Sequence, residues 1–138
     1  MKNKALFSIF ILTCLLHFSG CKSKQTSVNI SLDGSWTGEA YQYDINETWS
    51  IDFRCNMKKK IYLIQYPSLG CSGNWNLEQR YNNIFEFREL LNKGLDVCTN
   101  NGKIVLDIKD DNNVAFFYYW PDDKTLNASG YLKRNTTN

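Results

Sequence analysis

The side chains that could do chemistry in this sequence are few, and the most versatile of them is nearly missing. The single histidine is His17, inside an apolar N-terminal run that reads as a cleaved leader. The processed chain would then offer no imidazole to activate a serine or cysteine, and no histidine ligand for zinc. Carboxylates remain. Glu89 shares a strand face with Phe85 and Phe87, so it is expected to point into a core, where a carboxylate needs a partner or a raised pKa. Its plainest role is structural, held by turn amides or an arginine; the alternative is contact with a ligand. Asp110-Asp111 and Asp122-Asp123 read as solvated turns without calcium-loop spacing. A glycosidase would need two carboxylates at a fixed separation across a cleft, and the sequence shows no such pair. Aromatic rings are the other resource. Tyr41, Tyr43, Tyr62, Tyr66, Trp75, Tyr118, Tyr119 and Trp120 exceed what a small core uses, and such rings offer contact area with a polar tip. The candidate ligand contacts are therefore Glu89, Tyr66, Trp75, Tyr41 and Tyr43, with no cofactor and no metal expected.

Thiols are the third resource. Of 5 cysteines, Cys21 is read below as a lipid attachment point, and Cys55, Cys71 and Cys98 fall in the domain. In an oxidising compartment these three allow at most one internal bridge. Cys71 with Cys98 is the expected pair, because both lie beside glycine-containing turns at matching ends of neighbouring strands. Cys55 instead ends an alternating strand ahead of Lys58-Lys59-Lys60, and is left as a buried or semi-reactive thiol. Closing a loop of about 28 residues would contribute roughly 3.5 kcal/mol in the chain-entropy model. A metal site from the three thiols is the rival, and it lacks close paired spacing.

The elements that must position these groups read as strands. The stretch from Tyr66 to Trp75 combines a proline turn, two glycines, a thiol and a tryptophan, so the chain reverses there. Lys60 to Tyr66 precedes it, with Ile61 and Leu63 on one face. Cys71 to Glu78 follows it, with Cys71, Gly73, Trp75 and Leu77 on one face. Earlier, Gly34 to Tyr43 places Trp36 and Ala40 on one side and Tyr41 and Tyr43 on the other. Glu47 to Arg54 alternates with Trp49, Ile51 and Phe53 inward. Later runs are Asn82 to Leu91, Lys103 to Ile108, Val114 to Trp120 and Leu126 to Lys133. The first of these competes with a helix that Gly94 would cap, but alternation and aromatic content favour a strand. Eight short strands separated by turn chemistry predict an all-β fold, a small antiparallel up-and-down barrel, with a sandwich as the alternative. The barrel is preferred because sequential hairpins can close on themselves and leave no edge.

With 138 residues the chain has room for one domain. Residues 1–20 read as a leader: Lys2 and Lys4, then an apolar run from Ala5 to Phe18, then Ser19-Gly20-Cys21. Residues 21–32 read as a polar tether with a reach of up to about 40 Å, residues 33–134 as the barrel, and 135–138 as a tail. Removing Lys2 and Lys4 would leave 14 basic side chains against 14 acidic ones, which removes the electrostatic footprint of nucleic-acid binding.

Phe18-Ser19-Gly20-Cys21 resembles the lipobox of bacterial lipoproteins. The resemblance implies a lipid-modified Cys21 anchoring the protein to a membrane of the cell envelope, and Lys22 after it implies the outer membrane. Tyr66-Pro67-Ser68-Leu69-Gly70-Cys71-Ser72-Gly73, with Glu89, Gly94, Cys98, Gly102 and Gly130-Tyr131-Leu132-Lys133-Arg134, resembles a family of bacterial secreted domains. These occur as small lipoproteins and, in actinobacteria, outside the membrane on serine/threonine kinases. That resemblance implies the same two cysteines as partners and brings no enzymatic activity. Gly34-Ser35-Trp36 is similar to the opening of lipocalin and avidin barrels; in lipocalins a late arginine covers that tryptophan, a role that Arg134 would take. The expected function is a non-enzymatic envelope module that binds an unknown ligand or protein. The alternatives are an inhibitor of an envelope-targeting hydrolase such as lysozyme, using the Tyr66 to Gly73 turn, and a carboxylate-based carbohydrate enzyme.

Overall fold

A computed structural model describes residues 30–136. Cys21 and the leader lie outside the described residues, as do most of the tether and the last two residues of the tail.

Eight strands follow one another: β1 (Gly34–Gln42), β2 (Glu47–Asn56), β3 (Ile61–Tyr66), β4 (Cys71–Tyr81), β5 (Ile84–Lys93), β6 (Lys103–Ile108), β7 (Asn113–Tyr119) and β8 (Leu126–Arg134). Each pairs antiparallel with the next, and β8 returns to pair with β1. The sheet is a closed up-and-down barrel, which leaves no strand edge unpaired. The 85–91 stretch is strand, not helix, because alternate residues Phe85, Phe87, Glu89 and Leu91 all face a common interior.

Turn chemistry sets the register. Tyr66 O accepts from the amides of Leu69 and Gly70 at 3.0 and 2.9 Å, and Gly70 takes a φ of 72°. Asn46, Lys60 and Asn82 adopt positive φ in the turns after β1, β2 and β4, where asparagine tolerates the left-handed region best. Asn82-Asn83 turns the chain in two residues, so β4 runs to Tyr81, past the expected end at Glu78. In β3 Ile61 and Leu63 share a face as expected, and it is the outer one: Tyr62, Ile64 and Tyr66 are buried. Trp49, Phe87 and their neighbours need ring partners, and the two tyrosines supply them at centroid distances of 4.9 and 5.3 Å.

The interior is packed with rings for most of its length. Phe53 stacks on Trp75 at 4.5 Å, Phe87 lies 5.5 Å from Trp75, and Phe116 lies 6.2 Å from it. Arg134 closes one mouth. Its guanidinium sits 4.1 Å above the Trp36 ring, and it donates to the carbonyls of Asp33, Ser31 and Asp111. Trp36 Nε1 donates to Leu32 O at 2.8 Å. Leu32 is itself buried and Ile30 packs beside it, so the packed domain begins within the segment read as tether, ahead of residue 33. An apolar side chain next to the Trp36 and Arg134 plug is worth more inside it than in water.

Candidate functional site

In an up-and-down barrel the ends of odd strands and the starts of even strands share one mouth. Here that mouth, opposite the Arg134 plug, gathers Gln42 from β1, Glu47 and Trp49 from β2, Tyr66 from β3, Tyr118 from β7 and Asn127 from β8. Together with Glu89, Trp120 and the loop after β5 they line a cavity of about 340 Å³. This volume suits a small ligand.

Glu89 forms the floor, with 1% of its surface exposed. It lies directly across the ladder from Trp75, whose Nε1 donates to Glu89 Oε1 at 3.2 Å. Tyr66 OH donates a very short hydrogen bond to the same oxygen. Both bonds fall on Oε1. Among the described residues no fully buried side-chain nitrogen or oxygen lacks a partner, so Oε2, which accepts no bond from the protein, is the oxygen that meets the cavity. Burial raises the Glu89 carboxyl to about 7, against the opposing pull of the Tyr66 and Trp75 donors. Tyr66 is pushed well up by burial and by the carboxylate beside it, and burial raises Tyr118 in the same direction. The floor is thus a carboxyl poised between its two forms near neutral pH, with one oxygen fixed and one free.

The walls are aromatic. Trp49 meets Tyr66 edge to face at 4.9 Å, and Tyr118 meets Trp120 at 6.0 Å. Trp49 is oriented by a bond from its Nε1 to Gln42 Oε1 at 3.1 Å. At the rim, side-chain bonds from Gln42 and Asn127 hold the Asp44 carboxyl below its usual range.

The remaining wall is the loop from Gly94 to Gly102, which contributes Val97, Cys98 and Thr99. The reversal starts at Gly94, with a φ of 77°, and ends near Asn101, with a φ of 66°. Cys98 is bonded to Cys71 at the start of β4, which pins the loop over the mouth. A Cβ at position 94 would stand 2.7 Å from Cys71 Sγ, so glycine there makes room for the bridge. Further ties are Leu91 N to Asn100 Oδ1 at 2.8 Å and Tyr118 OH to Thr99 O at 3.3 Å. Outside the wall, Arg88 bonds Glu78, Asn101 O and Asp123 together. With Cys71 and Cys98 joined, Cys55 stands alone and buried. Burial pushes its thiol up to about 12, so it is a packing residue, and the Cys71–Cys98 bond rules out a metal site built from Cys55, Cys71 and Cys98.

Three of the five expected ligand contacts converge: Glu89 and Tyr66 line the cavity, and Trp75 holds Glu89 from beneath. Tyr41 and Tyr43 do not join them. They lie on the outer wall at 42% and 44% exposure, edge to face with each other, because the β1 side that faces inward is the Trp36 and Ala40 side. Trp49, Glu47, Thr99 and Asn127 were not picked out as site residues. Strand parity gave Trp49 an inward direction, and counting strand ends around an up-and-down barrel would have put it with Glu47 and Asn127 at the mouth above Glu89. Two other depressions, of about 220 and 440 Å³, lie on the outer wall; neither is floored by a buried charged group. The Tyr66 to Gly73 turn does not protrude freely, since Ser68 and Ser50 exchange backbone-to-hydroxyl bonds at 2.9 and 3.0 Å.

Comparison with models of protein families, with curated proteins and with solved structures found no match to this chain.

Proposed function

We propose that this protein is a cell-envelope lipoprotein, anchored at Cys21 in the outer membrane, whose barrel is a non-enzymatic module that binds a small ligand at the mouth above Glu89. One observation carries the binding reading: a buried carboxyl presents an oxygen without a protein partner to an aromatic-walled cavity. A group built only for packing would have both oxygens satisfied, since an unpaired buried acceptor costs free energy. The pinned loop supports the same reading, because a mouth held open by a disulfide needs little reordering to receive a ligand. The anchor rests on Lys2, Lys4, the apolar run and Ser19-Gly20-Cys21.

Two experiments test the two halves. Mass spectrometry of the N-terminal peptide should find Cys21 acylated at the new terminus; an intact, unmodified Cys21 in the mature protein refutes the anchor. Native mass spectrometry of protein drawn gently from its own envelope should retain a small molecule that the Glu89→Gln variant loses. Equal retention by both proteins would move the site elsewhere. A second reading, a carboxylate-based carbohydrate enzyme, is favoured by Glu47 lining the same cavity as Glu89. Turnover on a glycan panel by the wild type and not by Glu89→Gln would establish it in place of the binding module.

A further inference from the structure

The lining of this cavity is chemically one-sided. Among the described residues it carries two carboxylates, Glu47 and Glu89, and no lysine, arginine or histidine. Asp44 adds a third acid beside the rim through its bonds to Gln42 and Asn127. An anionic ligand would meet like charge there and no cationic side chain among the described lining residues. A bare metal ion is no better served, since no group of three His, Cys, Asp or Glu side chains among the described residues could hold one. What the site does offer is an acceptor oxygen on a buried carboxyl and the rings of Trp49, Tyr66, Tyr118 and Trp120. A charged N–H donor satisfies a carboxylate best, and aromatic rings attract the same cation.

We propose that the cavity takes a small organic ammonium ion, with an N–H donated to Glu89 Oε2 and the carbon body packed against Trp49, Tyr118 and Trp120. This deepens the binding reading given above and rests on it. The ammonium pairs with the ionised form of Glu89, so binding displaces any proton held there. The groups packed around that carboxyl are Tyr66 from β3, Trp75 from β4 and Tyr118 from β7, with Glu47 of β2 at the rim. Both tyrosines are pushed up out of the neutral range. Between pH 6 and pH 8 Glu89, at about 7, is the floor group that changes charge. Its ionised fraction rises from roughly one-tenth to nine-tenths across that interval, and affinity for a cation should rise about tenfold with it.

Three probes of one shape and different charge test this on the purified protein: benzylammonium, benzyl alcohol and benzoate, titrated by calorimetry at pH 6 and pH 8. Benzylammonium should bind at least about tenfold more tightly than benzyl alcohol at pH 8, a difference of about 1.4 kcal/mol. It should weaken about tenfold at pH 6, and benzoate should not bind. In Glu89→Gln the preference for the ammonium should shrink to within about twofold. Benzyl alcohol binding as tightly as benzylammonium to the wild type would overturn the ammonium assignment and leave the cavity as a ligand site. So would an ammonium preference that survives Glu89→Gln or ignores pH. Failure of all three probes to bind would overturn both readings.

Discussion

Glu89→Gln separates the cost of the floor carboxyl from everything else in the barrel. In the wild type, burial raises this group from 4.5 to about 7. At about 1.4 kcal/mol per pH unit, that amounts to about 3 kcal/mol of pH-dependent stability. The folded state binds the proton more tightly than the unfolded chain. The contribution is therefore fully present below about pH 4.5 and is lost as pH rises through about 7. Glutamine keeps the shape, and its Oε1 can accept from Tyr66 OH and Trp75 Nε1 as the carboxyl does now, but it never ionises. The two proteins should have similar stability near pH 4.5, and the variant should be more stable by about 3 kcal/mol at pH 8. Urea unfolding followed by circular dichroism at fixed ionic strength measures this, and titrations of all other groups cancel in the difference between the proteins. With an m-value of about 1.5 kcal/mol/M the midpoints should part by about 2 M at pH 8. A difference that stays flat from pH 4.5 to 8, or a variant less stable at pH 8, would refute the claim that desolvation of Glu89 dominates its surroundings.

Tyr66→Phe removes a donor that now draws the Glu89 carboxyl downward, so the midpoint of the same stability curve should move above about 7; an unchanged midpoint would mean that the Tyr66 bond does not favour the ionised form. Replacing Cys71 and Cys98 together by serine frees the 94–102 loop and should cost up to about 3.5 kcal/mol in unfolding measurements, with faster hydrogen exchange confined first to that loop. In Gly102→Ala the new Cβ would fall 2.4 Å from Cε2 of Tyr118; the ring must move, which should cost about 1–3 kcal/mol and shift the Tyr118 resonances by NMR. Stability within about 0.5 kcal/mol of wild type would show that the ring yields freely.

What the sequence makes legible follows from what each feature depends on. Strand positions, the turns at Tyr66 to Gly70 and Asp110 to Asn113, and the inward faces of β2, β4 and β5 are local. They rest on period-two alternation and on residues that tolerate special backbone angles, and both are written in consecutive positions. The direction of Glu89 was legible for the same reason, since its parity with Phe85 and Phe87 places it inside. The Cys71–Cys98 bridge was within reach once the strand ends were assigned. Which face of β3 turns inward was not, because Ile61 and Leu63 look more apolar than Tyr62 and Tyr66. Only the partners across the barrel, Trp49 and Phe87, make the tyrosine face the buried one. The segment before residue 33 misled because its polar composition hides Leu32, and its place in the core depends on Trp36 and Arg134 meeting across the closing seam of β1 and β8. Tyr41 and Tyr43 were attractive by type alone, and their parity, opposite to the buried Trp36 and Ala40, turns them outward. The mouth could be assembled only by closure, since Glu47, Trp49, Tyr66, Glu89, Tyr118 and Asn127 are separated along the chain and become neighbours only when every strand end is placed around one ring. The free oxygen of Glu89 is the most tertiary fact of all: it exists because Tyr66 and Trp75, from two other strands, both reach the same atom and leave its twin facing the cavity.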